Sequence, residues 1–380
     1  VIGRIPAVIA ALLVSFLVLS SPVLAGEWVP AGSHQPGFPI TDVAVSGDGA
    51  YGALAGGDGL ILLTVGGAEC WRSPKGSYSS VALSGDGSIL AGGGAGLLVL
   101  NRNTTVPVTV RSKNYVNDIA MTADGSRIVA AVDDETLRLY TLAGDLVWST
   151  DTGDDLVSVS IGPDGTYIAG GTETGNVVLF SGTGDERWTY AISHQPVTSV
   201  AVADGARTIA AVSADGAVSL LSRAGGLLWS GSAPHAGGVS VSADGASVSV
   251  TDRQGIWFIE RDGTPAGQIP GMDASVAAAM DGSGSVVMVT DGARISVFIR
   301  EATTAAEGTG FPAAAAEKSG SSSAAPLTPT VSDNLTPGKG APVSTQSPAP
   351  FVPVIAGLLL TTGLTAAGRR YRKNNPDLSE

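Results

Sequence analysis

LVSVSIGPDGTYIAGGTETGNVVLFSGTGDERWTYA, residues 156–191, holds four short runs of strand-forming residues separated by three glycine-bearing turns. Runs of this length with Gly/Asp punctuation read as β-hairpins in series. The first turn, GPDG at 162–165, recurs along the chain as SGDG at 46–49 and 84–87, TADG at 122–125, VADG at 202–205, SADG at 242–245 and DGSG at 281–284. The last glycines of these seven turns are spaced 38, 38, 40, 40, 40 and 39 residues apart. A period near forty, with four strands per repeat, is the signature of propeller blades.

Order within a repeat is constant. One strand precedes the Asp-Gly turn and a second follows it. The third is strongly apolar: LILL at 60–63, LLVL at 97–100, LRLY at 137–140, VVLF at 177–180, VSLL at 218–221, IWFI at 256–259 and ISVF at 295–298. The fourth carries a tryptophan after a G-x-x-x-W turn, at Gly67/Trp71, Gly144/Trp148, Gly184/Trp188 and Gly225/Trp229. The middle of the first strand is small throughout: Ala44, Ala82, Ala120, Ser160, Ala201, Ser240 and Ala279. Radial sheets converge at an axis, where only small side chains pack at native density, and diverge outward, where tryptophan fills the gap. The seventh repeat ends at Arg300 without a fourth strand, whereas Glu27-Trp28-Val29 stands alone before the first. Trp28 lies 43 residues before Trp71, close to the repeat length, so the N-terminal strand is expected to close the last blade. The fold expected is all-β, a seven-bladed β-propeller without free sheet edges at its ends.

The S-x-D-G turns followed by I/V-A strands resemble WD40/YVTN-type propellers, and the G-x-x-x-W turns resemble the tryptophan-docking turns of PQQ-like propellers; the likeness covers about residues 27–300. The resemblance implies a prokaryotic cell-surface binding module. It also raises the alternative of a propeller enzyme, a quinoprotein or a metal-dependent hydrolase or lyase. Quinoproteins of that kind have eight blades and an adjacent cysteine pair; this chain has seven repeats and one cysteine.

Outside the repeats the composition changes. Residues 5–19, IPAVIAALLVSFLVL, followed by Val23-Leu24-Ala25, have the layout of a secretory signal peptide, with an uncleaved membrane anchor as the other reading. Residues 301–350 are rich in Ser, Thr, Pro, Ala and Gly, the composition of an extended linker. Residues 351–368 carry no charge and are followed by Arg369, Arg370, Arg372 and Lys373. A helix of that length spans about 27 Å, enough for a bilayer core, and the basic cluster marks its cytoplasmic side. A processing signal cut off by a sortase-like enzyme is the other reading of this tail. The organisation expected is a signal peptide at 1–25, the propeller at 26–300, the linker at 301–350, a transmembrane helix at 351–368 and a basic cytoplasmic tail at 369–380. This makes the protein a single-pass, cell-surface monomer with its bulk outside the cell. Its partner would be an extracellular protein or a cell-envelope component.

A net charge of −13 argues against nucleic acid as partner. The lone Cys70 excludes an intramolecular disulfide framework and is expected to be a small buried residue beside Trp71. No G-x-S-x-G elbow, P-loop or G-x-G-x-x-G sequence occurs, so no catalytic residue is assigned. The turn aspartates Asp48, Asp86, Asp124, Asp164, Asp204 and Asp244 repeat with the blades and read as structural. The loops of the opposite face carry Asp133, Asp134, Glu135, Asp154, Asp155 and Glu173, an acidic rim suited to a basic partner or Ca²⁺. All three histidines, His34, His194 and His235, fall in loops entering first strands. A hydrogen bond of His194 to Asp215, or less readily of His235 to Asp252, is the structural reading, and a three-histidine metal site the functional one. No organic cofactor is expected. Asn103 and Asn334 head sequons open to glycosylation outside the cell.

Overall fold

The computed structural model describes residues 27–102, 107–271 and 276–301. The expected signal peptide, linker, transmembrane helix and tail lie outside the described residues, as do Asn103 and Asn334. Among the described residues no helix is long and apolar enough to cross a membrane.

Seven four-stranded antiparallel sheets make seven blades, and in six of them the strands follow chain order from first to fourth. Blade 4, for example, is Leu156–Ile161, Tyr167–Thr172, Asn176–Ser181 and Glu186–Ala191. The seventh consists of Ala277–Met280, Val286–Thr290 and Ile295–Arg300, with Trp28–His34 as its outer strand. Trp28 pairs with Arg300 and His34 with Ile295, so the N-terminal strand closes the ring. Each seam between neighbouring blades encloses one apolar cluster. Blades 4 and 5 share Leu179, Val197, Ile209 and Leu221, all fully buried.

The fourth strands contain a regular irregularity. Leu139 pairs with Trp148 but Tyr140 with Leu146, which leaves Val147 as a bulge; Arg187 and Leu228 stand in the same position before Trp188 and Trp229. Cys70 is the bulged residue before Trp71, between the pairs Leu62–Trp71 and Leu63–Glu69. It is exposed, contrary to the sequence expectation, because a bulged residue is left out of the ladder. Trp148, Trp188 and Trp229 turn onto the next blade. The Trp148 indole N–H donates to the Gly182 carbonyl (3.1 Å) and that of Trp188 to Arg223 (2.9 Å). The rings lie against Gly184, Gly225 and Gly263, where a Cβ would come within 3.1, 3.3 and 2.0 Å of Trp148, Trp188 and Trp229.

The first-strand turns link the blades on one face. Main-chain N–H groups of Asp48, Gly85, Ala123, Asp204, Ala243 and Gly282 donate to Gly85, Ala123, Pro163, Ala243, Gly282 and Gly47 at 2.7–3.0 Å. Among the described residues the series stops between blades 4 and 5, where Pro163 has no N–H to give. Blade 5 also departs from the repeat by one residue. Ala203 and Ala206 make the turn hydrogen bond (2.9 Å) that Ser46 and Gly49 make in blade 1. The last turn position, left-handed in every blade, therefore falls on Ala206 (φ 52°), with Gly205 before it also left-handed (φ 57°), and Asp204 is not the turn aspartate that its VADG setting suggests.

Candidate functional site: the channel mouth

First strands from all seven blades surround the axis. At the end facing away from the Asp-Gly turns they enclose a cavity of about 200 Å³, lined in part by Asp42, Ser80, Asp118, Ser158 and Ser199. These five follow a register slip in the first strands of blades 1 to 5, whereas blades 6 and 7 present Gly238 and Ala278. The slip frees main-chain N–H groups that would otherwise be buried unpaired, and the side chains satisfy them across the seams. Asp42 Oδ1 accepts from Val43 N–H (2.8 Å) and Oδ2 from Val81 N–H of the next blade (2.8 Å). Asp118 repeats the arrangement with Ile119 (2.8 Å) and Val159 (2.7 Å), and also accepts from the Ser80 hydroxyl (2.6 Å). Ser199 accepts from Val239 N–H (3.2 Å).

Two carboxyl groups thus stand deep in the molecule, each keeping partial contact with the channel. Burial raises Asp42, and the neighbouring charge of Asp118 adds to it, bringing it to about 7 against the opposing N–H groups of Val81 and Val43. Burial raises Asp118 as well, opposed by Ser80 and by the N–H groups of Val159 and Ile119. Neither residue stood out in the sequence. The available signal was D-V-A at 42–44 and D-I-A at 118–120: an acid two places before the small residue that faces the axis.

The acidic rim lies on the same face. Asp133, Asp134 and Glu135 occupy the turn between Arg127–Val132 and Thr136–Thr141; Asp154 and Asp155 lie between Leu146–Asp151 and Leu156–Ile161, and Glu173 follows Tyr167–Thr172. The Thr152 N–H donates to the Glu135 carbonyl (2.8 Å), and the Glu173 N–H to that of Asp155 (2.9 Å), so these loops form one strip over blades 3 and 4. Asp134 is turned inward, paired with Arg138 and accepting from Thr136 and from Asn114 (2.7 Å). Asp154 accepts from Thr174. Asp133, Glu135 and Glu173 are exposed.

The histidines are separately placed. His34 ends the closing strand with Nε2 3.8 Å from Glu69 of blade 1. His194 is exposed, and Asp215 takes its hydrogen bonds from Ser193 (2.7 Å) and Ser213 (2.5 Å) instead. Asp252 is satisfied by the N–H groups of Gln254 and Gly255 and by the Trp257 indole, away from the exposed His235. Among the described residues no group of three or more His, Cys, Asp or Glu is placed to hold a metal ion. The channel also does not fit a PQQ-type quinone. Its volume is below the roughly 300–1,000 Å³ of small-molecule sites, and Cys70 sits on an outer strand.

No protein-family model matches the chain, and no curated protein matches it in sequence.

Proposed function

We propose that this propeller is a binding or scaffold module of the WD40/YVTN-like and PQQ-like kind, secreted and tethered to the cell surface by its C-terminal segment. Its occupant would be a cationic segment of an extracellular protein or envelope component, held on the loop face. The observation that carries the reading is the pair Asp42 and Asp118. Main-chain N–H groups on two blades fix both carboxyl groups at the mouth of the channel, beside the acidic strip. Groups fixed in this way lose little freedom on binding, and a cation at the mouth would favour their ionised form over the protonated form that burial promotes. The apolar stretches at 5–19 and 351–368 support the address.

The test is capture of partners from solubilised cell envelope by the full-length protein, at low and high salt. Partner binding should weaken as salt shortens the Debye length from about 10 Å at 0.1 M to about 3 Å at 1 M. Neutralising Asp133 and Glu135 should slow association more than it speeds dissociation. Capture that ignores both salt and these changes would place the partner on another surface.

A further inference from the structure

The Asp-Gly face carries a second feature, opposite in charge to the first. Where the series of main-chain hydrogen bonds stops at Pro163, a cleft of about 730 Å³ opens across blades 4, 5 and 6. Arg207, Arg223 and Arg261 line it, together with Asp164 and Asp204. All three arginines are exposed, and among the described residues none of their guanidinium groups has an ion-pair partner. Three cations without a salt bridge share one cleft of a protein whose net charge is −13, and Arg207 feels the nearby carboxylates of Asp204 and Asp244.

The turns that carry these arginines are fixed. The Trp188 indole donates to the Arg223 carbonyl (2.9 Å) and lies against Gly225. Arg261 N–H donates to Ala246 (3.1 Å), and Arg207 N–H to Asp204 (3.3 Å). The blade 5 turn is the one shifted by a residue, with Ala206 in the left-handed region that the other blades give to glycine. That shift takes the Asp204 carboxylate out of the turn and into the cleft lining. Burial and the charge of Asp164 raise it, against Arg207. Broken symmetry, retained strain and cations without a salt bridge coincide here, the combination expected where a repeat has been adapted to a ligand.

We infer that this cleft binds an acidic saccharide, a sugar whose carboxylate or phosphate groups are taken by Arg207, Arg223 and Arg261 while Asp164 and Asp204 accept hydrogen bonds from its hydroxyls. Guanidinium forks match planar and tetrahedral oxyanions in bidentate fashion. A carboxylate is an acceptor and pairs with hydroxyl donors. The volume lies within the range of small-molecule sites, larger than a single inorganic ion needs.

Calorimetric titration of the full-length protein tests it, with trigalacturonate, its methyl ester, glucose 1,6-bisphosphate and inorganic phosphate as probes. At least one of the two charged sugars should bind, at least tenfold more tightly than the methyl ester or inorganic phosphate, and which one binds identifies the oxyanion. R207Q/R223Q/R261Q should reduce that affinity at least tenfold with an unchanged melting temperature; R223Q alone, an exposed change, covers the case of a triple variant that does not fold. D133N/E135Q on the other face should leave sugar binding intact, which separates this site from the partner surface. The inference is overturned if neither charged sugar binds, if inorganic phosphate binds as tightly as the sugars, or if the arginine changes leave affinity unaltered.

Discussion

Across the seams between blades 3 and 4, 4 and 5, and 5 and 6, the outer-strand tryptophan lies on a turn glycine of the next blade; across the seam that closes the ring, glycine meets glycine. Gly32 pairs with Val297 at the ladder position that Trp148 holds opposite Leu139. A Cβ on Gly32 would lie 2.5 Å from the Gly66 carbonyl carbon, and one on Gly67 would lie 2.6 Å from the Ser33 oxygen. Trp28, four residues earlier, stacks instead on Phe258 of blade 6, with ring centroids 4.4 Å apart. Blade 6 has Gly267 at its own tryptophan position, opposite Phe258. One seam therefore receives its aromatic filling from the strand that follows it, and the closing seam is made by backbone contact. The N-terminal strand joins the chain ends and also completes the cluster between blades 6 and 7.

The largest effect should come from removing that strand. Deleting residues 27–34 leaves Ile295–Arg300 as an open edge and uncovers Phe258. Truncating a single buried aromatic costs about 3–5 kcal/mol, so the deletion should exceed that and shift chemical and thermal unfolding together. A melt unchanged by the deletion would mean that the ring is held without its closing strand. Making the closing seam resemble the others should also fail. Gly32→Trp is expected to destabilise the fold by more than the ~1–3 kcal/mol typical of overpacking, because the atoms it meets are main chain.

Trp188→Ala and Trp28→Ala should each cost about 3–5 kcal/mol or somewhat less, since both rings are only half-buried. A double-mutant cycle separates them. Trp28→Ala with Phe258→Ala should show a coupling of about 0.5–1.5 kcal/mol, the range for stacked aromatic pairs. Trp188→Ala with Phe258→Ala should be additive. Equal coupling in both pairs would remove the distinction between the two kinds of seam.

Blade number, strand order and closure were legible because seven copies repeat the same weak signals, so that an Asp-Gly turn too common to mean anything alone becomes decisive at a fixed spacing. Features belonging to one blade lacked that reinforcement. VADG at 202–205 matches the repeat by letter, yet the hydrogen bonds place the turn one residue later, at Ala203–Ala206. Asp42 and Asp118 lie two blades apart in the chain and come together only at the axis, so the acid two places before each small axial residue did not by itself mark them as a pair. Cys70 looked buried beside a tryptophan, but the bulge that turns Trp71 inward leaves the preceding residue outside.

The same contrast between axis and turns has a pH signature. Asp42 and Asp118 are raised, so above the ordinary carboxylate range the folded state holds protons that the unfolded chain has released. Stability should fall as pH rises from about 4 to about 7. The turn carboxyl groups act in the other direction. Hydrogen bonds from Ser88 and Ser84 lower Asp86 to about 2, and Thr122 and Ser242 lower Asp124 and Asp244; their contribution is present above about pH 4 and is lost as pH falls below it. The melting temperature should peak between pH 4 and 5. Asp42→Asn should flatten the decline toward pH 7 and leave the acid limb in place. A variant that keeps the full slope would show that the axial carboxyl groups do not titrate in this window.

The smallest expected effect is at Ala206. Six of the seven Asp-Gly turns give the left-handed position to glycine: Gly49, Gly87, Gly125, Gly165, Gly245 and Gly284, with φ between 66° and 73°. An L-residue with a Cβ in that region costs about 1–2 kcal/mol, and part of this is returned because glycine has more freedom to lose on folding. Ala206→Gly should therefore stabilise the protein by up to about 1 kcal/mol. Gly87→Ala should do the reverse and by more, since its Cβ would also lie 2.6 Å from the Tyr51 ring. The pair also probes the cleft. If the alanine is retained because it holds the shifted turn, and with it Arg207 and Asp204, Ala206→Gly should raise the melting temperature yet weaken saccharide binding. Gain in both would show that the strain at Ala206 has no part in the site.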